Sequence, residues 1–359
     1  MKIAIFGTRG IPNYYGGFEQ FAQYLSEGLS QMGHEVFVYN SHNHTYQNKK
    51  WNDVNIIHCY DPEFKLGTIG QFIYDLNCTL DSRNRNFDII LQLGYTSSSV
   101  WNWLFKRRVK LITNMDGLEW KRTKFHRSVS LFLKYAEKLA VKNSDIIISD
   151  SLGIQAYLQK KYAIKSKYIP YGATIFKSPN ESTLREFKLF PFKYDLLIAR
   201  IEPENNINTI IDAFIKSCVK RKLVVIGNMN TKLGKKIQSQ IDDPRVVFLG
   251  YVSDINKLNN LRYYSNIYFH GHTVGGTNPS LIEAMASNTL ICSHKNIFNI
   301  SILKDDAIYF TNQEDLVDII EEYQKSDYQN LCLNNKSKIQ KIFSWEKIIS
   351  DYEQLLTGF

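Results

Sequence analysis

The residues most suited to chemistry lie between His270 and Ser287, in the run HGHTVGGTNPSLIEAMAS. An apolar stretch, Ile267-Tyr268-Phe269, precedes it and reads as the end of a buried strand. The glycine pair Gly275-Gly276 then lets the backbone bend and approach a ligand closely. Thr277, Asn278, Pro279 and Ser280 lead into a helical pattern, and Pro279 suits its first turn, where a missing N–H costs nothing. Strand, glycine loop and helix start together form a place where backbone N–H groups favour a phosphate. Glu283, one turn in, is positioned to hold ribose hydroxyls. An ordinary loop with a surface glutamate would have the same spacing.

Two other groups invite chemistry. Arg200 follows the strand-like Tyr194–Ala199 in ARIEPENN, where a guanidinium can clamp a diphosphate; a surface salt bridge to Glu202 or Glu204 is the plain alternative. Asp116, in NMDGLEWKR, follows another strand pattern at Val109–Thr113, and there a simple Asp-Gly turn is the alternative. His270 and His272, two apart, share a strand face. They lack a nearby third ligand, so a metal site is disfavoured. His270 is expected as a hydrogen-bonded core residue and His272 as part of a sugar pocket. No Asp-x-Asp occurs in the chain, so the usual carboxylate site for a divalent metal on a diphosphate is absent.

The stretch at 272–286 resembles the signature of the family-4 glycosyltransferases, retaining enzymes of the GT-B fold. Glu283 falls on the second glutamate of their motif, and Gly275 stands where the first is expected. The form GGTNPSLIEAMA is similar to a subgroup of bacterial rhamnosyltransferases that build surface polysaccharides, as are GTRGIPNYYGGFEQF at the start and NMDGLEWKR at 114–122. The resemblance implies that Gly16 and Gly17 lie beside the donor diphosphate. It likewise puts Arg200 and residues 275–280 on the donor side with Glu283, and Asp116 and Glu119 on the acceptor side. Arg200 and Asp116 become the candidate catalytic residues. Where the family has a second cation, a lysine, this chain has Asn205. The helix start at 278–280, or another base such as Arg9, must then carry that charge.

These residues need elements to position them. At 359 residues the chain is long enough for two domains, each with its own core. In the first half, strands are predicted at Lys2–Phe6, Glu35–Tyr39, Val54–His58, Asp88–Leu93, Val109–Thr113, Asp145–Ser149 and Tyr168–Pro170. A helix after Gly16-Gly17 runs to Met32 on the stripe Phe18, Phe21, Ala22, Leu25, Leu29, with Gly33 ending it. A second series runs through Tyr194–Ala199, Leu223–Ile226, Val246–Leu249, Ile267–Phe269, Leu290–Cys292 and Ala307–Phe310. The fold class is α/β: two Rossmann-like, doubly wound parallel-sheet domains facing across a crevice, which the resemblance identifies as GT-B. The expected boundaries are an acceptor-side domain over 1–175, a linker over 176–192 and a nucleotide-sugar domain over 193–342. Residues 343–359 form a helix expected to cross back to the first domain. Gly7-x-x-Gly10 lacks the dinucleotide-binding spacing, and Tyr39-Asn40 stands where an acid would bind NAD ribose, which argues against a dehydrogenase.

Composition narrows the partners. The net charge is +9, and between Trp101 and Lys142 eleven Lys/Arg face only Asp116, Glu119 and Glu137, a local excess of +8. With Trp101, Trp103 and Phe105 beside Lys106-Arg107-Arg108, this segment suggests an anionic membrane surface and a lipid-linked acceptor. No nucleic-acid module is present. The five cysteines are scattered without a Cys-x-x-Cys, and no apolar run approaches the ~20 residues of a membrane span. The expectation is therefore a cytoplasmic enzyme, peripheral on the inner membrane face, needing neither cofactor nor metal. Its donor would be a nucleotide sugar, dTDP-rhamnose on the subgroup resemblance, and its acceptor a lipid-diphosphate-linked sugar. A GT-B sugar-nucleotide epimerase, which needs no acceptor, is the alternative.

Overall fold

A computed structural model describes residues 1–14, 16–122 and 125–358. The chain divides into two compact units. The first holds residues from Met1 to Tyr171 and the closing helix Trp345–Thr357; the second holds Gly172–Ser344, and Arg122 groups with it.

Among the described residues the first unit forms an eight-stranded sheet. Its strands are β1 (Lys2–Phe6), β2 (Glu35–Ser41), β3 (Lys50–Trp51), β4 (Val54–Cys59), β5 (Ile89–Leu93), β6 (Lys110–Met115), β7 (Ile146–Ser149) and β8 (Lys167–Tyr168). Their order is β3-β4-β2-β1-β5-β6-β7-β8. Every pairing is parallel except β3 with β4, an antiparallel edge that the short Lys50–Trp51 segment does not announce in sequence. Runs such as IILQL are buried along their whole length, as strands covered on both faces must be. The helix Gly17–Gln31 buries Phe21, Ala22, Leu25 and Leu29, while Met32 falls just past its end and is exposed. The Trp345–Thr357 helix lies against it. Tyr352 meets Phe21 at 5.5 Å between ring centroids, and Trp345 stacks on Tyr24 at 4.4 Å.

The second unit forms a six-stranded parallel sheet. Its strands are β9 (Tyr194–Ile198), β10 (Lys222–Ile226), β11 (Val246–Gly250), β12 (Tyr268–His270), β13 (Ile291–His294) and β14 (Ile308–Phe310), in the order β11-β10-β9-β12-β13-β14. Its core joins Leu197, Leu223, Val225, Phe269 and Phe310 to helix residues such as Ile210, Phe214 and Leu316. Asp195 is the polar exception inside β9. Fully buried, it accepts from Arg221 Nε at 2.7 Å, and it also takes Asn266 Nδ2 and the Ile267 N–H. Such a carboxylate is tolerable only because it is so fully partnered.

The segment 176–192 is not a free-standing linker. It packs within the second unit: the Phe176 N–H donates to Ala286 O, and the Asn180 N–H to Asn260 Oδ1. Between Glu181 and Phe187 it makes a 3₁₀ turn that buries Leu184. The Ala173 N–H donates to Phe343 O, so the second unit extends from 172 to 344.

Candidate functional site

In open α/β sheets, ligands bind past the carboxyl ends of the strands where the strand order reverses. In the second unit that reversal lies between β9 and β12, since the chain runs outward through β10 and β11 and then returns through β12 to β14. Arg200 follows β9, and the loop 271–278 follows β12. The two candidate stretches, seventy residues apart in sequence, are therefore neighbours. Hydrogen bonds stitch them together. The Thr273 N–H and hydroxyl both donate to Glu204 O, each at 3.0 Å, and Asn206 Nδ2 donates to Gly271 O at 2.8 Å.

Arg200 is exposed and its guanidinium makes no ion pair among the described residues. The expected alternative, a bridge to Glu202 or Glu204, is not formed. Arg122 takes those two carboxylates instead, at 3.6 and 3.7 Å. Asn205 is buried and spends its side-chain amide on Arg200 O at 2.8 Å, so it shapes the loop.

The helix Pro279–Ala286 begins as its sequence predicts, with Asn278 as N-cap and Pro279 at its first position. Its first N–H groups are largely engaged. Asn278 Oδ1 accepts from the Ser280 N–H at 3.0 Å, and Asn278 O takes those of Leu281 and Ile282. The Asn278 N–H donates to no described residue. The Ser280 hydroxyl turns back onto the sheet, 2.5 Å from Tyr268 Oη. Thr277 is buried. Gly275 has φ near 146°, a conformation costly for any side chain, and open space where a Cβ would project. The missing family glutamate is thus matched by a backbone that favours glycine.

Glu283 brings in a residue that sequence reasoning missed. Its Oε2 lies 2.6 Å from the Arg262 guanidinium, whose side chain is 1% exposed. Arg262 reaches out from the Ile255–Tyr263 helix, where it reads as one more helix-end base, and it also donates to Asn259 Oδ1 at 2.9 Å. The carboxylate is therefore oriented from beneath.

His270 ends β12 and is wholly buried. Contrary to expectation it is not hydrogen-bonded: neither ring nitrogen has a partner among the described residues, nor has Nδ1 of His272. The two rings stack at 4.3 Å with an 11° tilt. Burial, with His272 and His294 adding to it, drives the His270 pKa well down. Burial, with Arg200 and Arg122 nearby, lowers His272 to about 3. Both imidazoles are neutral at ordinary pH. Among the described residues no three His, Cys, Asp or Glu side chains come together to hold a metal.

In the first unit, Gly16 and Gly17 start the helix Gly17–Gln31, with Gly16 at φ 119°. Glu19 already occupies this helix start. Its Oε1 accepts from the Arg9 N–H at 2.8 Å and the Thr8 hydroxyl at 3.3 Å, and burial raises its pKa. Arg9 is committed elsewhere, with Nε 2.7 Å from Glu63 and its guanidinium over the Tyr74 ring. It is not an unpaired second cation for a diphosphate.

Asp116 and Glu119 follow β6 on a loop held from behind. Tyr95 Oη donates to Gly117 O at 3.1 Å, and Trp120 Nε1 donates to Glu137 at 3.0 Å. Glu137, fully buried, also accepts from Tyr157, Tyr162 and Lys161 at 2.7–2.8 Å. Of the three suggested membrane anchors only Trp103 is exposed, at 71%. Trp101 donates to Phe72 O, and Phe105 packs on the core at Phe6.

Residues 188–340 match the family model described as glycosyl transferases group 1, and residues 1–174 match a domain of unknown function, DUF1972. Solved structures share the fold over the whole chain. Sucrose-phosphate synthase from Thermosynechococcus elongatus is similar at a TM-score of 0.84 and 16% identity, covering 99% of this chain and 98% of that one. The Anabaena protein Alr3699/HepE, in complex with UDP and glucose, gives 0.77 and 16% over 100% of both. The chain has the GT-B fold, with a glycosyl transferases group 1 region over residues 188–340. A glycosyltransferase from Rickettsia africae is a further likeness, at 0.71 and 14% over 99% of this chain and 98% of that one. No match was found among curated proteins.

Proposed function

We propose that this glycosyltransferase moves rhamnose from dTDP-rhamnose to a lipid-diphosphate-linked sugar, with retention and without a metal ion, in bacterial surface-polysaccharide synthesis. The observation that carries the donor side is the unpaired Arg200 guanidinium beside the 271–278 loop at the switch point of the second sheet. Glu283, oriented by Arg262, holds the ribose. Supporting a nucleotide-sugar donor, the similar Anabaena structures contain UDP, glucose or UDP-glucose. The choice of rhamnose rests on the GGTNPSLIEAMA resemblance alone.

In this mechanism the acceptor hydroxyl attacks the anomeric carbon on the face the diphosphate leaves. A departing phosphate oxygen takes the hydroxyl proton as the sugar–phosphate bond breaks. Catalysis is then positioning plus stabilisation of the charge growing on the diphosphate, supplied by Arg200 and backbone N–H groups. Asp116 and Glu119, on the loop braced by Tyr95 and Glu137, meet the acceptor. Gly16 and Gly17 stand on the donor side, where Glu19 must share the helix start with a phosphate. Trp103 and the bases Lys106, Arg107 and Arg108 attach the protein to anionic lipid.

The test is transfer from dTDP-rhamnose, UDP-glucose, UDP-N-acetylglucosamine and GDP-mannose to a lipid-diphosphate sugar, each with and without EDTA. Faster use of dTDP-rhamnose, unchanged by EDTA, is the expected result. Preference for another donor overturns the rhamnose assignment, and loss of activity in EDTA overturns the metal-free mechanism.

A further inference from the structure

Resting on that reading of the second unit as the donor site, we propose that His272 is a contact for a hydroxyl of the transferred sugar, held in place by its stack on His270. Three observations carry this. His272 is half-buried beside Arg200 at the switch point, with His270 directly behind it at 4.3 Å. The Nδ1 of His272 is buried with no hydrogen-bond partner among the described residues, although its carbonyl is fixed by Asn296 Nδ2 at 2.9 Å and Asn299 Nδ2 at 3.0 Å. Three residues on, Gly275 leaves open space where a side chain would begin.

The chemistry selects a hydroxyl over a phosphate. A neutral imidazole offers one donor and one acceptor. A sugar hydroxyl also donates and accepts, so it can use either nitrogen, whereas a phosphate oxygen can only accept and brings charge. Burial and the neighbouring guanidiniums of Arg200 and Arg122 keep His272 neutral, so the division of labour is clear: Arg200 takes the diphosphate and His272 the sugar. His270 does not touch ligand. It is a positioning residue whose flat ring sets the plane of His272.

The experiment compares dissociation constants for dTDP-rhamnose against dTDP, and UDP-glucose against UDP, by calorimetry. The ratio within each pair isolates the sugar's contribution. For the preferred pair, His272→Ala should shrink that ratio by about two- to tenfold, the loss of one neutral hydrogen bond, and leave nucleoside diphosphate binding unchanged. His272→Gln, which keeps a donor and an acceptor, should recover part of it. His270→Phe, which keeps the stack but removes the nitrogens, should behave as wild type, with a melting curve confirming that it folds. An unaltered ratio in His272→Ala, with the wild type binding nucleotide sugar, overturns this inference and leaves the donor site standing. Failure of the wild type to bind any nucleotide or nucleotide sugar overturns both.

Discussion

Removing Glu283 should unfold before it should inactivate. The Arg262 side chain beneath it is 1% exposed, against 16% for Glu283, and they meet at 2.6 Å. Deleting one member of a buried pair leaves the other charge uncompensated and costs about 3–5 kcal/mol. Glu283→Ala leaves the guanidinium beside neutral groups, Asn259 and Tyr268 among them, which places it toward the upper end. Arg262→Met keeps most of the volume and leaves a carboxylate that retains some water, which places it toward the lower end. The double variant removes both charges and should cost at least 2 kcal/mol less than the two singles summed, as a coupled pair requires. Urea unfolding followed by far-UV circular dichroism is the assay. All five tryptophans, Trp51, Trp101, Trp103, Trp120 and Trp345, belong to the first unit, so their fluorescence does not report on the second. Losses under 1 kcal/mol that simply add would refute the claim that Arg262 holds Glu283.

Three further outcomes follow from the same geometry. Arg200→Ala should lower kcat by roughly 10²–10³ with little change in stability, because the guanidinium is exposed and unpaired; Glu283→Gln should chiefly raise the donor KM. Equal small effects of both variants on both parameters would contradict that division. Asp75 is buried, and desolvation raises its pKa to about 6 despite a hydrogen bond from Ser97 at 2.5 Å and the nearby Arg9. The folded state therefore holds this proton where the unfolded chain releases it, so stability falls as pH rises from about 4 to about 6. Asp75→Asn should remove that slope and stabilise the protein at pH 7 by up to roughly 3 kcal/mol in urea titrations, and an unchanged slope would disprove it. Charge reversal at Lys106, Arg107 and Arg108 should release the protein from anionic vesicles at low salt, at roughly 1 kcal/mol per base. Unchanged sedimentation with vesicles would remove the membrane from the account.

The sheets were legible because their strands are apolar runs bounded by turns, and the first strand of each unit matched to within a residue. Local chemistry was legible too: Asn278 caps and Pro279 opens the helix as their types dictate. What sequence did not reveal were pairings between residues distant along the chain. Arg262 and Glu283 lie 21 positions apart, and Glu137 gathers Trp120 from one element and Tyr157, Lys161 and Tyr162 from another. Arg9 and Arg122 show the same limit in reverse. Both are bases near candidate loops, and only the fold reveals which carboxylates already engage them. The 176–192 stretch misled because Pro, Ser and Asn composition signals irregular backbone, and irregular backbone can still pack.

Acceptor-dependent sugar transfer is read out by following radiolabelled rhamnose. Purified protein is incubated in EDTA with labelled dTDP-rhamnose, with and without a lipid-diphosphate sugar, and the organic phase is counted. Label is expected in the lipid fraction only when acceptor is present, and its rate of appearance should fall by roughly 10²–10³ when Arg200 is replaced by alanine. Conversion of the nucleotide sugar without acceptor, or label that never leaves the aqueous phase, would contradict it.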